Sequence, residues 1–209
     1  MNEEPQPQPM SDFAVMMREA VQHLPEHVVI PYDMTPEGQR LTRFRIVCPP
    51  EFMRKIDRSQ LNTPEAFDRV AKWDGTAPGP LAFGPTGCGK TRAAWSALGR
   101  LCVREGKSIS FYTTKRLTEV YFEHHMKGDP TWLWRQLASL NAILIDDLDK
   151  MELNDRNATM LFEFYDWVYR EHRPVITTTN RDRDWWSGKM GTAFCRRLFD
   201  EAHTIVSFQ

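Results

Sequence analysis

Gly84-Pro85-Thr86-Gly87-Cys88-Gly89-Lys90-Thr91 is the stretch of this 209-residue chain from which its fold can be read. It matches G-x-x-x-x-G-K-[ST] at every specified position. The chemistry served by that pattern needs each residue type. Glycines carry no Cβ, so backbone N–H groups can curl around phosphate oxygens. A lysine at the position of Lys90 reaches the β- and γ-phosphates of a nucleotide, and a hydroxyl at Thr91 ligates Mg²⁺. A helix opening at Gly89 would point its positive N-terminal end at the anion. With Gly at about 7% of residues, a chance match in a chain of this length is on the order of one in a hundred. Here the pattern also lies between a predicted strand, Pro80-Leu81-Ala82-Phe83, and a predicted helix over about 89–104.

Downstream, Ala142-Ile143-Leu144-Ile145-Asp146-Asp147 is a continuous apolar run ending in two acids, the pattern of a strand buried on both faces. Alone, such acids often cap a following helix. About 55 residues after the glycine loop, at the carboxyl end of a strand, they fit a ligand site. Asp146 would hold Mg²⁺ through its water shell, and Asp147 would polarise an attacking water as general base. The runs SISFYT, PVITTT and HTIVSF read as further strands, with helices expected over 115–126, 132–140, 155–172 and 191–199. Alternating βα units imply a parallel sheet sandwiched by helices.

Upstream the signals are weaker. Residues 1–10 alternate Pro and Gln and read as a disordered tail. Ser11 offers an N-cap to a helix, SDFAVMMREAVQHL, stopped by Pro25, with Phe13, Met16, Met17, Ala20 and Leu24 on an apolar face. Residues 26–50 hold β-like pieces, HVVI and RFRIVC, among many breakers, and read as an irregular accessory region. Thr63 is the expected cap of a helix starting at Pro64.

Composition narrows the classes. Lys+Arg 27 against Asp+Glu 28 gives a net charge of -1, so any nucleic-acid contact must come from a local patch. No apolar run approaches the roughly 20 residues needed to cross a bilayer. Cys48, Cys88, Cys102 and Cys195 are scattered without a C-x-x-C pair, which argues against a zinc ribbon or a disulfide scaffold. A reducing cytoplasm is the expected location. Adjacent His124 and His125 point in different directions on a helix and make no metal site. Cys88, beside Lys90 and a helix N-terminus, is expected to be a reactive thiol whose modification blocks the loop.

The glycine loop, the Asp-Asp strand, the strand end Thr177-Thr178-Thr179-Asn180 and the turn Arg196-Arg197-Leu198 together resemble the ATPase domain of AAA+ proteins. Among these they are most similar to the DnaC/IstB group of helicase loaders and transposition helper ATPases. The likeness covers about residues 50–209. It implies an α/β fold of the P-loop NTPase (AAA+ ASCE) type over 51–209, preceded by a small helical extension over 11–50 that binds a partner. It also implies ATP and Mg²⁺ as ligands, held by Gly84–Thr91 and by Thr91 with Asp146. Asn180 matches the sensor position that touches the γ-phosphate or the attacking water. Arg197 matches the arginine finger inserted into a neighbouring subunit, with Arg196 as the alternative. The chain ends 12 residues beyond Arg197, leaving no room for the full helical lid of most AAA+ proteins, so the lid is expected to be reduced or absent.

In this group the region between the second strand and the Asp-Asp strand lines a DNA channel. Here it carries Lys115, Arg116, Lys127 and Arg135, interleaved with Tyr121, Phe122, Trp132 and Trp134. Basic groups for phosphates and aromatics for stacking suit single-stranded DNA, although each aromatic taken singly is more often a core contact. The resemblance thus implies a homo-oligomeric helicase loader that binds single-stranded DNA and a ring helicase. Its rivals are an IstB-like helper with a transposase as partner, and a nucleotide-gated adaptor that barely hydrolyses, because Asp147 is shorter than the more usual Glu.

Overall fold

Ala142, Ile143, Leu144 and Ile145 present no polar side chain to either face, and all four are completely buried. They form the middle of β3 (Ala142–Asp146). The computed structural model describes residues 35–129 and 131–209. Its other strands are β1 (Gly79–Phe83), β2 (Ile109–Thr113), β4 (Val175–Thr179) and β5 (His203–Ser207). They form one sheet in the order β2-β3-β4-β1-β5, and every pairing is parallel. The expected α/β fold is therefore present. β1, which leads into the glycine loop, lies beside β4, which ends at Asn180, and β4 in turn lies beside β3 with its two acids.

Side-chain alternation along the strands divides the core in two. Ala142, Leu144 and Ile176 face a layer that includes α1 (Pro36–Val47), α3 (Pro64–Ala71) and α4 (Lys90–Gly99), with the short α2 (Pro50–Met53) beside them. Ile143, Ile145 and Val175 face α5 (Thr114–Met126), α6 (Trp132–Ala138), α7 (Asp155–Arg170) and α8 (Arg183–Cys195). Burying both faces is the arrangement an all-parallel sheet requires.

Four local expectations are corrected. RFRIVC is not β-like: residues 43–47 belong to α1. Thr35 caps that helix by accepting from the Gly38 N–H at 3.1 Å, Pro36 opens it, and Phe44 is buried edge-on against Trp95 at 5.9 Å. Gly99 makes room for the Phe44 ring, since a Cβ there would lie 3.1 Å from it. Thr63 occupies the cap position of α3, but its side chain makes no capping bond, and its buried Oγ1 finds no partner among the described residues. The helix expected over 89–104 ends as an α-helix at Gly99 and continues as a π-helical turn, Arg100–Arg104. The helix expected over 191–199 begins earlier, at Arg183, where Asp182 accepts from the Trp185 N–H at 2.9 Å; Gly191 breaks it with φ 80°, and a π-helical turn, Arg196–Glu201, follows.

The tail at 1–10, the helix at 11–24 and HVVI at 27–30 lie outside the described residues. Residues 36–48, read above as accessory, share the core of α4 through Phe44 and Cys48. Phe44→Ala is therefore expected to cost about 3–5 kcal/mol, as for other large buried truncations. Urea unfolding followed by circular dichroism checks this; an unchanged midpoint would show that α1 stands outside the cooperative unit.

Candidate nucleotide-binding site

The loop after β1 turns back on itself through residues that only glycine fills without strain. Gly84 has φ 147° and lies against the backbone of Phe208, 3.1 Å from where a Cβ would sit, and Gly89 has φ 100° as the N-cap of α4. No side chain caps α4, so its first-turn N–H groups are left for an anion. Pro85, Thr86 and Gly87 form the exposed tip of the loop, whereas Gly84, Cys88 and Lys90 are buried.

Lys90 is the centre of the site. It is only 4% exposed, and its Nζ donates to the Gly84 carbonyl at 3.0 Å, the Pro85 carbonyl at 2.8 Å and Asn180 Oδ1 at 3.0 Å. Those contacts match the three donors of an ammonium group, and all go to neutral oxygens. Among the described residues no carboxylate pairs with Lys90. A buried cation without a counter-ion is costly, and an anion delivered to the loop relieves that cost. The Cys88 thiol lies 3.6 Å from the same Nζ and is buried, so the reactive thiol anticipated from sequence is packed inside the loop and shielded from solvent.

Three acids leave β3 and meet three different environments. Asp146 Oδ1 accepts from Thr91 Oγ1 at 2.9 Å and from Thr178 Oγ1 at 2.6 Å. Burial raises its pKa; the two hydroxyl contacts only partly oppose this, and neighbouring Asp147 adds to it. A hydroxyl and a carboxylate side by side form an all-oxygen pair of the kind Mg²⁺ takes, and a cation there would relieve the desolvated charge of Asp146. Thr91 and Asp146 thus fit the metal. Asp147 sits in the left-handed region, φ 52° and ψ 54°, with its N–H donating to Thr178 Oγ1 at 2.9 Å. Its carboxylate makes no hydrogen bond or ion pair among the described residues. Asp149 was missed by sequence reasoning. Its Oδ1 accepts from the Asn180 N–H at 2.6 Å and from Thr179 Oγ1 at 3.1 Å, and its Oδ2 accepts from Asn180 Nδ2 at 3.0 Å. Burial acts to raise its pKa, but the bonds from Asn180 outweigh it and hold Asp149 below the usual carboxylate range. Because Asn180 turns its amide N–H toward Asp149, its carbonyl oxygen faces Lys90.

Sequence reasoning also missed the segment before α3. Arg54, Ile56, Asp57 and Leu61 line a cavity of about 330 Å³ that continues to Cys88 and Gly89, a volume within the range of small-molecule sites. The signal available was position alone, just upstream of the glycine loop.

The remaining predicted residues lie away from this cluster. Arg197 is held on its own chain: Nε meets Asp166 at 3.0 Å, a second nitrogen meets Glu201, and the guanidinium lies 4.5 Å from the Tyr169 ring centre. Its side chain is 23% exposed, against 66% for Arg196, which among the described residues pairs only with Glu201, at 2.8 Å. Lys115 and Arg116 both pair with Glu119, Lys127 with Glu123, and Arg135 with Asp129. Of the interleaved aromatics, Tyr121 is core, Phe122, Trp132 and Trp134 pack against it, and Trp132 stacks on His124 at 3.6 Å.

The sequence profile of the family described as IstB-like ATP binding protein matches residues 69–207. No curated protein matches the chain. Among solved structures, the DnaC helicase loader is similar at 18% identity with a TM-score of 0.61, covering 75% of this chain and 93% of that one. DnaI matches at 16% identity and a TM-score of 0.55, covering 78% and 92%. The replication initiator DnaA bound to AMPPCP and single-stranded DNA matches at 16% and 0.58, covering 76% of this chain and 50% of that one. At these identities the likeness is one of fold, that of a P-loop AAA+ sheet.

Lys90→Ala removes the only buried cation of the loop and is expected to weaken binding of a fluorescent ATP analogue about 100-fold or more, with circular dichroism unchanged. Undiminished affinity would overturn the site. Asp146 supplies a pH test. A carboxylate whose folded-state pKa lies above its unfolded value opposes folding when ionised; that penalty is present above the raised pKa and disappears below about pH 4. Asp146→Asn should therefore melt at a higher temperature than the native protein at pH 7.5, with the gap closing as the pH falls toward 4.

Proposed function

Given that the chain belongs to the IstB-like ATP-binding family, we propose that it is a Mg²⁺-dependent ATPase that acts on DNA as a loader of a ring helicase. The observation that carries the ATPase reading is the buried Lys90 ammonium, which among the described residues meets only uncharged groups and is bonded to Asn180 across the mouth of the sheet. A triphosphate in the loop offers Lys90 charged oxygens in place of these neutral ones. Taking them releases Asn180 Oδ1, while Asp149 keeps the Asn180 side chain aimed at the γ-phosphate position. The first-turn N–H groups of α4 hold the phosphate oxygens. Thr91 and Asp146 would hold Mg²⁺, which when bound would supply positive charge to offset that of the phosphates. Asp147, whose carboxylate has no hydrogen-bond or ion-pair partner among the described residues, orients the attacking water. When phosphate leaves, Lys90 returns to Asn180, so occupancy of the loop is read at the end of β4.

The arginine turn supports action across a subunit interface. Arg196 is exposed and pairs with Glu201, and Arg197 would exchange Asp166 and Glu201 for a neighbour's phosphates. Single-stranded DNA on the α5–α6 surface would exchange the ion pairs of Lys115, Arg116, Lys127 and Arg135 for phosphates. Such binding weakens steeply with salt.

The family match bears equally on a transposition helper, with a transposase in place of the helicase. The shortness of Asp147 favours slow turnover and keeps a nucleotide-gated adaptor as a second reading. One experiment separates these: phosphate release by the native protein and Asp147→Asn, with and without single-stranded DNA, beside capture of partners on ATP-loaded native protein and on Lys90→Ala. The loader reading expects turnover at least tenfold above Asp147→Asn and recovery of a ring helicase on native protein alone. Equal rates point to the adaptor, and recovery of a transposase to the helper.

A further inference from the structure

Behind the site, a chain of buried polar groups runs from α7 to the arginine turn. The Tyr165 hydroxyl lies 3.0 Å from Thr177 Oγ1, Thr177 Oγ1 lies 2.9 Å from His203 Nε2, and His203 Nδ1 lies 2.9 Å from the Leu198 carbonyl. All three side chains are buried. The direction of every bond follows from one end. A carbonyl only accepts, so His203 Nδ1 carries a proton. Burial pushes the pKa of His203 down to about 4, so the ring is neutral near pH 7 and Nε2 is bare. Nε2 then accepts from Thr177, and Thr177 accepts from Tyr165.

The two ends of this chain are tied a second time. Tyr165 and Asp166 are consecutive on α7, and Arg197 and Leu198 are consecutive on the turn. Tyr165 reaches Leu198 through Thr177 and His203, while Asp166 grips Arg197 directly at 3.0 Å. The result is a closed circuit through α7, β4, β5 and the turn. Thr177 stands next to Thr178, which bonds Asp146, and three residues before Asn180, which bonds Lys90. Among the described residues, the hydrogen bonds of the His203 and Tyr165 side chains go to Thr177 and Leu198, not to the loop or the acids of β3.

We infer that His203, relaying between Thr177 and the Leu198 carbonyl, is a positioning residue that sets the arginine turn, Arg196–Glu201, relative to the strand end carrying Thr178 and Asn180. It acts through Leu198 on Arg197 and Arg196 and makes no contact with nucleotide. Apolar residues of similar size would fill the same space; three directional bonds fix where the turn sits. The inference rests on the ATPase reading above, in which an arginine from this turn serves a neighbouring subunit.

The experiment compares His203→Leu, which removes both bonds, with His203→Gln, which can offer one donor and one acceptor, and with Tyr165→Phe, which removes a single hydroxyl at the far end and keeps the packing. Steady-state ATP hydrolysis and affinity for a non-hydrolysable ATP analogue are measured for each. His203→Leu should lose at least tenfold in kcat with analogue affinity within twofold of native, and His203→Gln should recover most of the rate. Mixing then tests the positioning role. His203→Leu subunits keep an intact phosphate loop, and Lys90→Ala subunits keep an intact arginine turn, so a mixture of two inactive proteins should regain turnover. Mixtures that stay inactive, or an analogue affinity that falls together with kcat, overturn the inference. Where His203→Leu does not fold, Tyr165→Phe carries the same comparison with a smaller loss. If native protein does not hydrolyse ATP at all, the ATPase reading fails, and the relay is judged by hydrogen exchange of the 197–202 amides. Faster exchange in Tyr165→Phe sustains the relay, and unchanged exchange overturns it.

Discussion

The buried ammonium of Lys90 is the constraint around which the rest of the site is arranged. A charge that is 4% exposed and surrounded by neutral oxygens demands donors and acceptors in fixed places. The loop supplies two carbonyls, Gly84 and Pro85, and β4 supplies the third acceptor through Asn180. That third bond requires β1 and β4 to be neighbours in register, which the sheet order provides. It also requires the Asn180 amide to face one way, which Asp149 provides by taking its N–H groups. One lysine thus links the loop, the sheet topology and an acid not assigned from sequence.

The acids beside it show how position within a few ångströms decides chemistry. Asp146 lies deepest, and its desolvation makes the ionised form unfavourable. Asp149 is also partly buried, yet donors from Asn180 and Thr179 favour its charged form. Asp147 lies between them on a left-handed residue that takes its carboxylate away from both networks. Three aspartates within four residues therefore meet three different environments, and the proposed function assigns them the parts of metal ligand, brace and base.

Farther out, ion pairs decide what is available to other molecules. Arg197 meets Asp166, Glu201 and Tyr169 on its own chain, and Lys115, Arg116, Lys127 and Arg135 each pair with an acid. The pairs of the α5–α6 surface are exposed and contribute little to stability, so exchanging them for other anions costs little, whereas Arg197, 23% exposed, is held more firmly. The buried circuit through His203 is different in kind, since leaving any of its groups unpaired costs a full desolvation penalty.

What the sequence determined by itself is local. The glycine loop, the apolar strand before Asp146 and the alternation of strands and helices are each dictated by residues adjacent in the chain. Their conformational needs, freedom from a Cβ in the loop and burial of both strand faces, are legible in the residue types themselves, although distant partners such as Phe208 and the flanking helices meet them. The misread pieces depended on such partners. RFRIVC became part of a helix because Thr35 caps it and Trp95 and Gly99 receive Phe44. The hydrogen bonds of Asp149 and His203, the pairing of Arg197 and the cavity before α3 were decided only by the tertiary structure. Each joins residues that are far apart in the sequence or that other acids nearby resemble, and a hydrogen bond between them exists only once the parallel sheet has placed the strand ends side by side.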